Sequence, residues 1–201
     1  MYPMLSDQFK PQVVRIITPF ARFFLKIGIT PDLMTVAGTG LVVFGAFKFI
    51  ASGSYVTGVI FIAVTALSDL FDGTMARISN KGSSTWGSFL DSTLDRISDS
   101  AIAIALALHL FKIEDRLAPI VLILIPLNFL IPYIRAKAES LDIECSGGIA
   151  ERTERLIIML LAILLAGLNI SYALSVGIWT LFILASITVL QRIAIVRRAT
   201  K

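Results

Sequence analysis

Cysteine and histidine are nearly missing from this chain: Cys145 and His109 are the only ones in 201 residues. A single cysteine excludes an intrachain disulfide and any multi-cysteine zinc site. Charge is scarce too, at 16% Asp, Glu, Lys and Arg, against about a quarter in ordinary globular chains. With 56% hydrophobic residues and a mean hydropathy of +0.85, the chain lacks the polar surface to cover a sphere in water. A soluble α/β enzyme, a disordered chain and a nucleic-acid-binding module are all disfavoured, so no nucleic-acid partner is expected. The net charge of +4 then reads first as membrane orientation.

What is present is apolar sequence in long runs. Residues 6–27 repeat apolar side chains at helical spacing (Phe9, Val13, Ile16, Phe20, Phe23, Ile27) with Lys10, Arg15, Arg22 and Lys26 between them. That pattern predicts an amphipathic helix lying in the headgroup layer, within a juxtamembrane segment 1–30. Six apolar runs follow at roughly 33–52, 55–77, 86–110, 117–137, 153–170 and 173–195. Each is near the ~20 residues that cross ~30 Å of hydrocarbon. The expected fold is therefore all-α, an integral membrane protein with a six-helix transmembrane domain over 31–201. Placing the N-terminus in the cytoplasm leaves only Lys48, Lys112 and Arg116 of the 18 basic residues on the far side. Both termini are then cytoplasmic in a multi-pass protein of the cell membrane.

Five aspartates interrupt the second and third runs: Asp69, Asp72, Asp91, Asp95 and Asp99. An aspartate at a helix centre costs about 2.5–3.5 kcal/mol on insertion scales, against gains of about 0.3–0.6 kcal/mol for each large apolar residue. Spacings of three and four place each set on one helix face. Across a short loop, Asp69, Asp72, Asp91 and Asp95 can converge in one cytoplasm-facing cavity. Arg77 and Arg96 are too few to neutralise them. Clustered hard oxygens select Mg²⁺, Mn²⁺ or Ca²⁺, and a two-ion site would also grip a diphosphate. Gly73 and Gly87 clear space beside these carboxylates. The same residues also suit a cation transporter or channel, although the chain lacks the related halves common in transporters. A structural scaffold leaves the aspartates uncompensated. Only one histidine is present, on the opposite membrane face, where an interfacial anchor is expected; no Ser-His or Cys-His nucleophile pair is evident.

The run SDLFDGTMARISNKGSSTWGSFLDSTLDR resembles the signature of the CDP-alcohol phosphotransferases, D-x2-D-G-x2-A-R followed by G-x3-D-x3-D. Asp69, Asp72, Gly73, Ala76, Arg77, Gly87, Asp91 and Asp95 meet it. The resemblance implies displacement of CMP from a CDP-linked donor by an alcohol, without a covalent enzyme intermediate. It implies two Mg²⁺ or Mn²⁺ ions per site, held mainly by Asp69, Asp72 and Asp91 and completed by Asp95, the general base. Gly73 and Arg77, with Asp69, would meet the CDP moiety. Thr35 matches the threonine of the family's TPN-x2-T segment, with Asp32 where the family has Asn. A homodimer is expected of the family. Asp99, one turn beyond the signature, is read as structural, paired with Arg96 or a neighbouring helix.

The acceptor is read from the helix ends on the same face: Tyr133, Arg135, Lys137, Arg152, Arg155 and Arg192. Arginine forks suit a phosphorylated, polyhydroxylated acceptor, while the positive-inside bias alone also predicts basic residues there. IPYIRAKAE and ERTERLII resemble the actinobacterial phosphatidylinositol-phosphate synthases of the family. That implies phospholipid synthesis from CDP-diacylglycerol, whose tails stay in the membrane lipid, and inositol 1-phosphate. Glycerol 3-phosphate is the alternative. Ala101, Ala103, Ala105 and Ala107 permit close helix approach, either within the chain or between copies.

Overall fold

Thr30-Pro31-Asp32 is a helix start written in side chains. In the computed structural model of the chain, the Leu33 N–H donates to Thr30 Oγ1 at 3.2 Å. Pro31 opens the first turn and Asp32 adds a carboxylate at the positive end of the helix dipole. The structure describes residues 18–66, 74–75, 78, 84–145 and 147–200. Among these, residues 18–26 are helical, ending at Gly28 with φ +86°. Six longer helices follow: α1 (Pro31–Gly45, continued by the π-helical turn Ala46–Ile50), α2 (Tyr55–Ala66), α3 (Thr85–Lys112), α4 (Ala118–Glu139), α5 (Arg152–Gly167) and α6 (Ala173–Ala199). No strand occurs among the described residues.

Pro31–Ile50, α4 and α6 are long and apolar enough to cross a bilayer, and α2 is a shorter apolar helix. The fold is thus all-helical, with three clear spanning candidates among the described residues. The expected amphipathic helix over 6–27 lies outside them except for its last turns, where Phe20 and Phe23 are exposed and Ala21 is buried.

The chain forms two compact units, 1–44 with 60–98 and 45–59 with 99–201. In the first, the rings of Phe44 and Phe61 meet edge-on at 6.2 Å, and Ala21, Val42, Ile62 and Met75 are buried. In the second, α4 and α5 pack on α6. Its core is built from Ile102 and Leu106 of α3, Val121 and Leu124 of α4, Ile163 of α5, and Ile178 and Leu181 of α6. The alanine stripe of α3 is 0–5% exposed, so within this chain it serves intrachain packing. On the outside of α6, Val176, Trp179, Ile183, Leu190 and Ile193 are about half or more exposed, a face that suits lipid.

α5 has only 16 residues, about 24 Å at 1.5 Å per residue, less than the ~30 Å of hydrocarbon. Its first residue, Arg152, reaches Asp99, which lies midway along the 28-residue α3. The chain before it, residues 147–150, lies against residues 188–192 of α6. Ile149 N–H donates to Gln191 Oε1 at 3.2 Å and Ala150 N–H to Thr188 Oγ1 at 3.4 Å. Gly147 and Gly148 have φ of +109° and +142°, and a Cβ on Gly148 would stand 2.6 Å from Thr188 Cγ2.

Helix contact is equally close between α5 and α6, where a Cβ on Gly177 would overlap that of Ala162. Gly177→Val is expected to destabilise the protein by about 1–3 kcal/mol by overpacking. Gly40→Val, where nothing lies within 4 Å, should change thermal unfolding in detergent far less.

Candidate active site

Ser84 caps α3, accepting the Gly87 N–H on its hydroxyl at 2.9 Å. A Cβ on Gly87 would stand 3.1 Å from Ser84 Oγ and 3.4 Å from an Asp32 carboxylate oxygen. This glycine therefore admits the start of α1 against the first turn of α3. One turn on comes Asp91, exposed, and another turn on Asp95, half-buried, on the same face of a regular helix. Arg96 Nη2 lies 3.5 Å from Asp95 Oδ2. Asp69, Asp72, Gly73 and Arg77 lie outside the described residues. Among the described residues no three His, Cys, Asp or Glu side chains gather as a metal site, since two of the four expected ligands are not among them. What α3 offers fits a hard divalent cation: two carboxylates one helical turn apart. Thr35 Oγ1 donates back to the Pro31 carbonyl at 3.1 Å, an ordinary contact for a helical threonine.

The basic residues expected at the acceptor site divide in two. Tyr133, Arg135 and Lys137 are exposed along α4, and Arg135 Nε meets Glu139 Oε1 at 2.8 Å. Arg152, Arg155 and Arg192 are drawn inward. Arg155 and Arg192 are 5% and 7% exposed. Arg155 donates to the Ala150 carbonyl at 2.6 Å, and Arg192 donates to the carbonyls of Gly147 and Ile131. Both guanidiniums thereby secure the backbone of residues 147–150. Arg152 offers its fork to Asp99, Nε to Oδ2 and Nη2 to Oδ1, each at 3.2 Å. Asp99 therefore takes its partner from α5, and Arg96 turns to Asp95.

Two arginines in the first turn of a helix oppose its dipole. The sequence answers with Glu151 and Glu154, which form a capping box: the Glu151 N–H donates to Glu154 Oε2 at 2.6 Å. Asp99, Asn128, Arg152 and Arg155 line a small cleft, with room for about one water, together with Ile102, Leu156, Met159 and Leu181. Asn128, in this lining, is a residue that the sequence reading does not single out. The available signal was an amide in the middle of an apolar helix, between Pro126 and Pro132. His109, expected as an interfacial anchor, is half-buried; its ring meets that of Tyr55 at 5.3 Å, and a Cβ on Gly53 would press against it.

An all-helical membrane protein with paired carboxylates on one helix and inward-drawn arginines on another is the setting of a phosphatidyl transferase. The sequence profile of the CDP-alcohol phosphatidyltransferases matches residues 28–191, and the chain belongs to that family. It is 36% identical to the phosphatidylinositol phosphate synthase of Streptomyces avermitilis, over 97% of this chain and 83% of that one. It is 38% identical to the Mycobacterium tuberculosis enzyme of the same name, over 95% and 88%. A crystal structure of the M. tuberculosis synthase with CDP-DAG bound matches with a TM-score of 0.86 at 38% identity, over 90% of this chain and 94% of that one. The same synthase in complex with manganese and citrate matches at 0.84 and 36% identity, over 90% and 88%.

Removing the Asp99 carboxylate leaves the Arg152 fork without its bidentate acceptor. Asp99→Asn is expected to lower stability by roughly 1–3 kcal/mol. Asp99→Asn combined with Arg152→Gln should lose less than the sum of the two single changes, a non-additivity read by thermal unfolding of all four proteins.

Proposed function

We propose that this chain is a phospholipid synthase that transfers the phosphatidyl group of CDP-diacylglycerol to inositol 1-phosphate and releases CMP. The observation that carries the reading is 36–38% identity with phosphatidylinositol phosphate synthases along nearly the whole chain, with the family signature intact from Asp69 to Asp95. Six spans, with both termini and the active site in the cytoplasm, accord with the basic bias; so does an N-terminal helix in the headgroup layer. A homodimer would use faces other than the alanine stripe of α3, which is already buried.

Asp69, Asp72, Asp91 and Asp95 would hold two divalent ions, Mg²⁺ or Mn²⁺, and the carboxylate chemistry fits them. When bound, the ions neutralise the diphosphate and stabilise charge on the departing CMP. Gly73, Arg77 and Thr35 would hold the CDP group. Asp95 takes the proton of the attacking hydroxyl, for which a carboxylate in reach of that oxygen suffices. The hydroxyl oxygen then bonds to the donor's lipid-side phosphorus as the bond to the CMP oxygen breaks. Arg152, Arg155 and Arg192, with Tyr133, Arg135 and Lys137, would receive the acceptor phosphate. The inner guanidiniums already stand in hydrogen-bonded positions, which lessens the ordering that binding requires.

Purified protein given labelled CDP-diacylglycerol is expected to release CMP with inositol 1-phosphate in preference to glycerol 3-phosphate, free inositol or serine. A chelator should abolish the release. Asp95→Asn should lose at least a hundredfold in kcat with its thermal unfolding unchanged. Asp91→Asn should raise the Mn²⁺ concentration for half-maximal activity as well. Best turnover with glycerol 3-phosphate would overturn the acceptor assignment. Full activity in chelator, or ion flux through vesicles without CMP release, would overturn the reaction itself.

A further inference from the structure

Arg96 is the only basic residue of α3 before His109. An ionisable side chain inside an apolar helical protein is costly and is kept where it has a partner. The Arg96 Nε is buried, and its Nη2 lies 3.5 Å from Asp95 Oδ2, with 20% of each side chain exposed. Neighbouring residues on a helix point about 100° apart, so Arg96 does not share the face of Asp91 and Asp95. Its long stem turns the guanidinium back onto one oxygen of the adjacent carboxylate. Asp99, three residues on, is already engaged by Arg152 through both oxygens. Of the α3 carboxylates, Asp95 is therefore the one that Arg96 serves. Arg135 and Glu139 set the comparison: they are closer, at 2.8 Å, but each is more than half exposed, where water leaves an ion pair worth little. Around Asp95 and Arg96 screening is weaker. An aspartate needs such a contact if its direction is to be fixed, because its terminal torsion is broad and roughly two-fold. The helix sets Cβ but not the plane of the carboxyl oxygens. A general base must bring an oxygen within about 2.6–3.2 Å of the proton's own oxygen, and small misplacements cost rate steeply.

We propose that Arg96 is a positioning residue for the proton transfer. By holding one oxygen of Asp95 it fixes the plane in which that carboxylate meets the acceptor's hydroxyl. Arg96 itself touches neither substrate and acts only through its neighbour. This rests on the assignment of Asp95 as the base and adds what holds the base in place.

The test is steady-state CMP release from labelled CDP-diacylglycerol by wild-type protein, Arg96→Gln and Arg96→Lys. Each protein is also titrated with Mn²⁺ and followed by thermal unfolding. Gln keeps much of the stem and removes the charge, whereas Lys keeps the charge without the fork. Arg96→Gln is expected to lose roughly tenfold in kcat, with KM for CDP-diacylglycerol and inositol 1-phosphate unchanged within about twofold. Arg96→Lys should recover most of that loss. The Mn²⁺ concentration that gives half of the thermal shift should stay near the wild-type value in both variants, because Asp69, Asp72 and Asp91 are untouched. Wild-type kcat in Arg96→Gln overturns the proposal. So does a loss of kcat that Lys does not recover, or one matched by a rise in either KM, which would place Arg96 against substrate. A large change in the Mn²⁺ midpoint overturns it as well, since Arg96 would then serve the ions and not the base. Failure of Arg96→Gln to fold has the same force, because the guanidinium would be needed by the fold itself. Full activity of Asp95→Asn would instead remove the base assignment on which the proposal stands.

Discussion

Polar groups inside an apolar helical protein have no water to fall back on, so each must be met by another part of the chain or by a ligand. That constraint sorts the polar residues of this structure. The irregular backbone before α5 is met at several points: Thr188 and Gln191 accept its N–H groups, and Arg155 and Arg192 donate to its carbonyls. Asp99 is met by Arg152. The Glu151–Glu154 box meets the start of α5. Asp95 of the signature is met in the same way as Asp99, by Arg96.

Elements whose instructions lie within four residues were legible in the sequence. Thr30-Pro31-Asp32 specifies the start of α1, and Glu151 with Glu154 the start of α5. Asp91, Asp95 and Asp99 share a face because steps of four do so on any helix. The family and its chemistry were legible for a related reason: eight signature positions stand in fixed order. The alanine stripe showed close packing but not against what, because a small side chain admits any neighbour.

The roles of the arginines were not legible, because charge at a helix end carries the same sequence signal whether it binds phosphate, secures a loop or follows the positive-inside bias. Distinguishing them needs partners 45 to 61 residues away, as in Arg192 with Gly147 and Ile131. Asp99 shows the same limit. Its nearest arginine in sequence is Arg96, but its partner is Arg152, 53 residues on. Asn128 was hidden by its neighbours: in a run as apolar as that of α4, one amide leaves the average nearly unchanged.

The short α5 ties these threads together. A helix of full spanning length would carry its first residues to the membrane boundary, where water would serve Arg152 and Arg155. Stopping at 16 residues leaves Arg152 on Asp99, halfway along α3, and Arg155 buried one turn on, among the apolar side chains of Ile102, Met159 and Leu181. Attraction between opposite charges at 4 Å rises severalfold from bulk water to such surroundings, so a phosphate reaching these arginines gains more than it would at the surface. The same depth makes the guanidiniums costly to hold without an anion. Asp99 supplies that anion for Arg152 in the unliganded protein. Under the proposed acceptor role, a phosphate reaching Arg152 would share it with a carboxylate of like charge or displace it, a more demanding setting than a surface cluster of arginines.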